Sequence, residues 1–145
     1  MNDTLSNAIF NEHVKHLANP RLVNLRFWAV NDLTYPYIDI TFKQPNRIAF
    51  RIRLQCNSWN EMPPSIELLS EEGEYLKRLP QGSGVLNQGP HEATGRPFIC
   101  SPGALEYHIH PSHITDLWQN YKGKSSYDLG GIITQIWNAW RNTND

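Results

Sequence analysis

The sequence predicts one α+β domain over residues 1–145, on three observations. Strand-like alternation is concentrated in the first half, the links between those runs are short and rich in turn residues, and the strongest helical stripe falls near the end. Strands grouped ahead of helices are the mark of α+β chains, whereas α/β chains interleave the two. A length of 145 residues suits a single core, and 39% hydrophobic residues with 5 Trp, 6 Tyr and 5 Phe supply it.

Taken in order, Asp3 or Thr4 can cap a first helix running to about Ala18, with Leu5, Ile9, Val14 and Leu17 near helical spacing. Asn19-Pro20 stops it, because the residue before proline avoids the α region. Three alternating runs follow: 22–30, 37–42 with Ile38, Ile40 and Phe42 on one face, and 48–54 with Ile48, Phe50, Ile52 and Leu54 on one face. Short turns at 32–36 and 44–46 make these an antiparallel meander. A fourth strand, 65–69, comes after Pro63-Pro64. Residues 70–97 turn polar and rich in Gly and Pro, a loop long enough to be functional or disordered. Two helices close the chain. The first, 111–121, carries Ile114, Leu117, Trp118 and Tyr121 at i, i+3, i+4 and i+7. The second, 128–141, carries the stripe Leu129, Ile132, Ile133, Ile136, Trp137 and Trp140, with Ser125 or Ser126 as cap.

Charge and cysteine content narrow the function classes. There are 13 basic and 14 acidic side chains, well mixed, for a net charge of −1. Neither a basic stripe nor an acidic tail stands out, which disfavours nucleic acid as the partner. The first residues are polar and lack the apolar segment of a secretory signal, and no apolar run approaches the roughly 18–20 residues that cross a bilayer. The expectation is a cytoplasmic protein with no membrane partner. In a reducing compartment Cys56 and Cys100 are free thiols rather than a disulfide.

The segment 96–113 holds one of the two cysteines and three of the six histidines. If extended, Glu106, His108 and His110 face one way and Tyr107 and Ile109 the other, and His113 follows one helical turn after His110. Three readings compete. Cys100 is a nucleophile served by nearby imidazoles, with Ser101-Pro102-Gly103 as a tight turn that presents the sulfur. Alternatively, Cys100, Glu106, His108 and His110, or His113, ligate zinc, although period-two ligands on a strand lie roughly 6–7 Å apart and CxxC pairing is missing. The third reading is structural: Glu106 and the histidines hydrogen-bond one another and hold a corner.

The order of elements also resembles the ubiquitin-conjugating-enzyme-like fold. Trp59-Asn60-Glu61-Met62-Pro63-Pro64-Ser65-Ile66 is similar to that family's Tyr-Pro…Pro-Pro signature, Pro97-Phe98-Ile99-Cys100 to its active-site cysteine segment, and 129–140 to the helix that follows. The run from Cys100 through Glu106, His108, His110 and His113 more closely resembles a bacterial branch with a Cys-Glu-His-His pattern, found in ubiquitin-like conjugation operons and CBASS antiphage systems. The resemblance implies an N-terminal helix, a four-stranded antiparallel meander, an active-site loop and C-terminal helices. It implies that Cys100 forms a thioester with the C-terminus of a protein partner, either a cGAS-like nucleotidyltransferase or a ubiquitin-like modifier, and transfers it to a target. Glu106, His108 and His110 would tune or orient that exchange, with His113 a weaker candidate and no cofactor; a variant without catalytic activity that only docks partners is a further alternative. Two features depart from eukaryotic members. The His-Pro-Asn triplet upstream of the cysteine is missing, with only Pro90-His91 nearby, and 70–97 looks like an insertion.

Of the remaining residues, Cys56 alternates with Leu54 and Ile52 and reads as an inert buried thiol. Trp59 and Phe98 flank loops where a partner's tail can bind. His13 and His16 read as a solvated helix face, and Asn24, Arg26, Arg51 and Arg53 as the exposed side of the sheet.

Overall fold

The structure is a computed structural model that describes residues 3–144. It opens with helix α1 (Asp3–Val14), which turns Ser6, Phe10 and Val14 inward at i, i+4 and i+8. Asp3 and Thr4 lie within this helix rather than capping it, and Asp3 accepts a hydrogen bond from the Tyr35 hydroxyl at 2.7 Å.

The expected strand at 22–30 is a helix for most of its length. Asn19 caps α2 (Pro20–Arg26) by accepting the Arg21 N–H at 2.9 Å, Pro20 supplies the preset first-turn φ, and Phe27 ends the helix in the left-handed region at φ 56°. Asn-Pro thus stops one helix and starts another, which overrides the alternation of Leu22 to Arg26. Asn24 and Arg26 consequently leave the sheet. The Arg26 guanidinium lies over the Trp28 and Trp137 rings, 5.0 and 4.8 Å from their centroids.

Strands β1 (Trp28–Asp32), β2 (Tyr37–Phe42), β3 (Phe50–Gln55) and β4 (Ser65–Leu69) form an antiparallel sheet in sequence order. The register places Ile38 opposite Leu54, Ile40 opposite Ile52 and Phe42 opposite Phe50, with Leu68 and Ile66 next across. These side chains are buried beneath α1 and the last helix, α4 (Leu129–Arg141). Each such side chain is worth roughly 1.5–3 kcal/mol of burial. Ile48 falls before β3 and is 88% exposed, so it belongs to the turn and not to the core face. On the opposite face, Arg51 grips Asp39 through two bonds of 2.8 and 2.7 Å, and Arg53 reaches Glu67 at 2.8 Å.

The expected stripe on α4 is real: Leu129, Ile132, Ile133, Ile136 and Trp140 are buried, and Trp137 packs at the edge. Its cap is Asp128, not Ser125 or Ser126, and accepts the Gly131 N–H at 2.6 Å. At the far end Arg47 donates to the carbonyls of Trp140, Arg141 and Thr143, which satisfies the orphan acceptors of the last turn.

Two other expectations change. The segment 70–97 is folded back by a bridge between Leu69 and Tyr75 and closes in a hairpin of β5 (Leu86–Asn87) and β6 (Phe98–Ile99). The helix expected at 111–121 is replaced by short 3-10 turns at Pro111–His113 and Trp118–Asn120. The Asp116 carbonyl, which a helix would offer to Asn120, instead accepts from His108 Nδ1 at 2.8 Å, while the Asn120 N–H goes to Leu117. Among the described residues, no helix is long and apolar enough to cross a membrane.

Candidate active site around Cys100

Cys100 stands one residue beyond β6. Its N–H donates to the Val85 carbonyl at 2.7 Å, extending the hairpin by one more bond. The turn Ser101-Pro102-Gly103 follows, closed by Ala104 N–H to Ser101 O at 3.2 Å. Gly103 has φ +99°, and a Cβ there would stand 3.0 Å from Ile132 Cγ1, so glycine lets the turn rest on α4. The thiol is free and half-buried.

The polar side chains downstream do not line one face, because residues 105–109 are helical. In α3 (Leu105–Ile109) Glu106 turns into the protein and accepts from Ser65 Oγ at 2.7 Å and the Ile66 N–H at 2.9 Å. It pins the helix to β4. His108 points elsewhere: its Nε2 accepts the Gly103 N–H at 3.1 Å and its Nδ1 donates to the Asp116 carbonyl at 2.8 Å. An N–H can only donate and a carbonyl can only accept, so Nε2 is the acceptor and Nδ1 the donor, and both nitrogens are engaged within the corner. His110 caps the next turn by accepting the Ser112 N–H at 3.1 Å, with its ring stacked on Phe98.

His113 is the residue that meets the sulfur. Its Nε2 lies 3.5 Å from Cys100 Sγ, within sulfur hydrogen-bond range. The ring is stacked on Tyr107 with centroids 4.3 Å apart and planes 17° from parallel. The Tyr107 hydroxyl donates to Asp116, which also accepts from the Tyr121 hydroxyl at 2.8 Å. These two bonds hold the Asp116 carboxyl below its usual range, and the same contact raises Tyr107 and Tyr121. The sulfur thus has an imidazole nitrogen beside it, and a tyrosine ring lies flat against that imidazole.

The sequence-based assignment therefore changes in emphasis. Glu106, His108 and His110 do not touch the sulfur; each holds the corner from which His113 reaches it. The zinc set Cys100, Glu106, His108, His110 and His113 does not converge, since Glu106 and His108 spend their donor atoms on the protein. Among the described residues, no group of three or more His, Cys, Asp or Glu side chains is arranged to hold a metal.

Three residues outside the sequence-based site assignment shape this corner. Tyr107 and Asp116 support His113. His91, 2% exposed, donates from Nε2 to the Glu106 carbonyl at 2.8 Å, accepts the Ala93 N–H at 3.0 Å, and packs edge-on to Phe98. It ties the loop to α3. Pro90-His91 was its only visible signal.

Trp59 and Phe98 are buried and offer nothing to a tail. His13 is likewise not on a solvated face: its Nδ1 accepts from Trp59 Nε1 at 3.1 Å, and burial lowers its pKa. Cys56 is 1% exposed and burial pushes its thiol up. Neither protein-family models nor curated proteins give a match to this chain.

Proposed function

We propose that this chain is an acyl carrier of the ubiquitin-conjugating type, with Cys100 as the thioester-forming residue and His113 as its proton acceptor. One observation carries the reading: a free, half-buried cysteine on a hairpin-end turn with an imidazole nitrogen 3.5 Å from its sulfur. The order of helix, four-stranded antiparallel sheet, loop and C-terminal helix supports the ubiquitin-conjugating-like assignment, as do the quoted motifs. Antiphage defence and a cGAS-like nucleotidyltransferase or ubiquitin-like donor follow from the bacterial branch that the cysteine–histidine run resembles.

The donor's C-terminal carbonyl arrives as a thioester on an upstream enzyme. His113 Nε2 takes the proton from Sγ, the sulfur attacks the carbonyl, and the S–C bond forms as the upstream thiolate leaves and recovers a proton. An acceptor amine then attacks the Cys100 thioester, giving an amide and regenerating the thiol. Of the backbone donors around the sulfur, Cys100 N–H is engaged with Val85 and Gly103 N–H with His108, so neither of these two serves the tetrahedral oxyanion.

Incubation with the proteins encoded beside it, followed by a non-reducing gel, tests the proposal. A thiol-sensitive adduct is expected in wild type and absent in Cys100→Ser. Formation of the Cys100 thioester is expected to slow about a hundredfold in His113→Ala and to change little in His110→Ala. Equal effects in the two histidine variants overturn the role of His113, and a thiol-sensitive adduct that survives Cys100→Ser overturns the carrier.

A further inference from the structure

The hairpin that carries Cys100 has a second end. There, a cleft of about 410 Å3 opens between Tyr75, Lys77, Gln88, Pro90, Arg96 and Pro97. Both charged groups lining it, Lys77 and Arg96, are cations. Arg96 Cζ lies 4.1 Å from the Tyr75 ring centroid, which orients the guanidinium without neutralising it. Among the described residues, neither cation pairs with a carboxylate. Glu67 is close but committed: it accepts from Arg53 at 2.8 Å and from the Tyr75 hydroxyl. Burial opposes ionisation of Glu67, and the bonds from Arg53 and Tyr75 outweigh it and hold the carboxyl low.

Position gives this cleft its meaning. Pro97 is three residues from Cys100 through strand β6, a span of at most ~10 Å. An extended peptide whose terminal carbonyl sits at the sulfur reaches the cleft with side chains about three or four residues upstream. We propose that Lys77 and Arg96 bind acidic side chains in the C-terminal tail of the acyl donor, so that the preferred tail carries Asp or Glu a few residues before its end. This rests on the acyl-carrier reading and adds a substrate class to it. With the chain at −1 and no wider basic stripe, a protein carboxylate fits better than nucleic acid.

Fluorescence anisotropy on the full chain carrying Cys100→Ser tests this without acyl chemistry. The probes are a labelled peptide of alternating Glu and Gly and its Gln counterpart. The Glu peptide binds and the Gln peptide does not. Lys77→Glu weakens binding about tenfold, Arg96→Glu does so at least as strongly, and raising NaCl from ~50 to ~500 mM weakens it further. Lys77 is exposed, so its variant remains informative if loss of the Arg96–Tyr75 contact disturbs folding. Equal binding of the two peptides, no effect of Lys77→Glu, or tighter binding of single-stranded oligothymidine at the same residues overturns the proposal. Because Cys100→Ser cannot form a thioester and the probe peptides carry no activated acyl group, failure of the thioester gel and failure of this assay are separate results.

Discussion

Cys56 and Cys100 each sit one residue past a strand end, and each donates its N–H to a carbonyl across the gap at 2.7 Å, to Pro36 and Val85 respectively. Backbone placement is therefore nearly the same. What differs is what covers the sulfur. Cys56 ends the central strand of a wide sheet and disappears among the aromatic and aliphatic side chains of the core, where burial disfavours its thiolate. Cys100 follows a two-residue strand whose own side chains are buried, but stands at the turn beyond it, only partly covered, where a 3-10 turn brings His113 to it. A wide sheet silences a thiol, and a narrow hairpin leaves room for a partner group.

Alkylation gives the largest contrast. Iodoacetamide followed by mass mapping should modify Cys100 about a thousandfold faster than Cys56, whose reaction waits on opening of the core. Comparable rates would dissolve the distinction. Leu54→Ala sharpens it. Truncating this fully buried neighbour of Cys56 should cost ~2–5 kcal/mol in urea unfolding, accelerate Cys56 labelling by the corresponding factor and leave Cys100 labelling unchanged. Smaller still is Glu106→Ala, which strands the Ser65 hydroxyl and the Ile66 N–H. About 1–3 kcal/mol of stability should go with it, with little change in Cys100 alkylation. A large fall in labelling with unchanged stability would instead put Glu106 in the chemistry.

The parts of the fold that could be read from the sequence are those whose side chains answer to burial. Ile38, Ile40 and Phe42 on β2, the run of β4, and the α4 stripe follow the core closely, because one face of each must leave water. Where polar bonds decide, pattern misleads. Leu22, Val23 and Leu25 alternate like a strand, yet Asn19 and Pro20 fold them into a helix that buries none of its residues. Ile114 and Leu117 keep helical spacing but are exposed, since the Asp116 carbonyl is drawn to His108. Glu106, His108 and His110 share a period of two, but five residues of helix send them in different directions. Cys100 was visible as a lone thiol in a histidine-rich run. That His113 rather than the nearer histidines reaches it depends on a turn whose geometry is set by contacts distant in sequence.

Gly103 carries a consequence for reading related chains. A methyl group there would press on Ile132 at 3.0 Å, and φ +99° would strain any side chain, so a bulkier residue asks either the isoleucine or the turn beside the sulfur to give way. Glycine three places after the cysteine thus marks, in sequence alone, where the pairing of sulfur and imidazole seen here can be transferred.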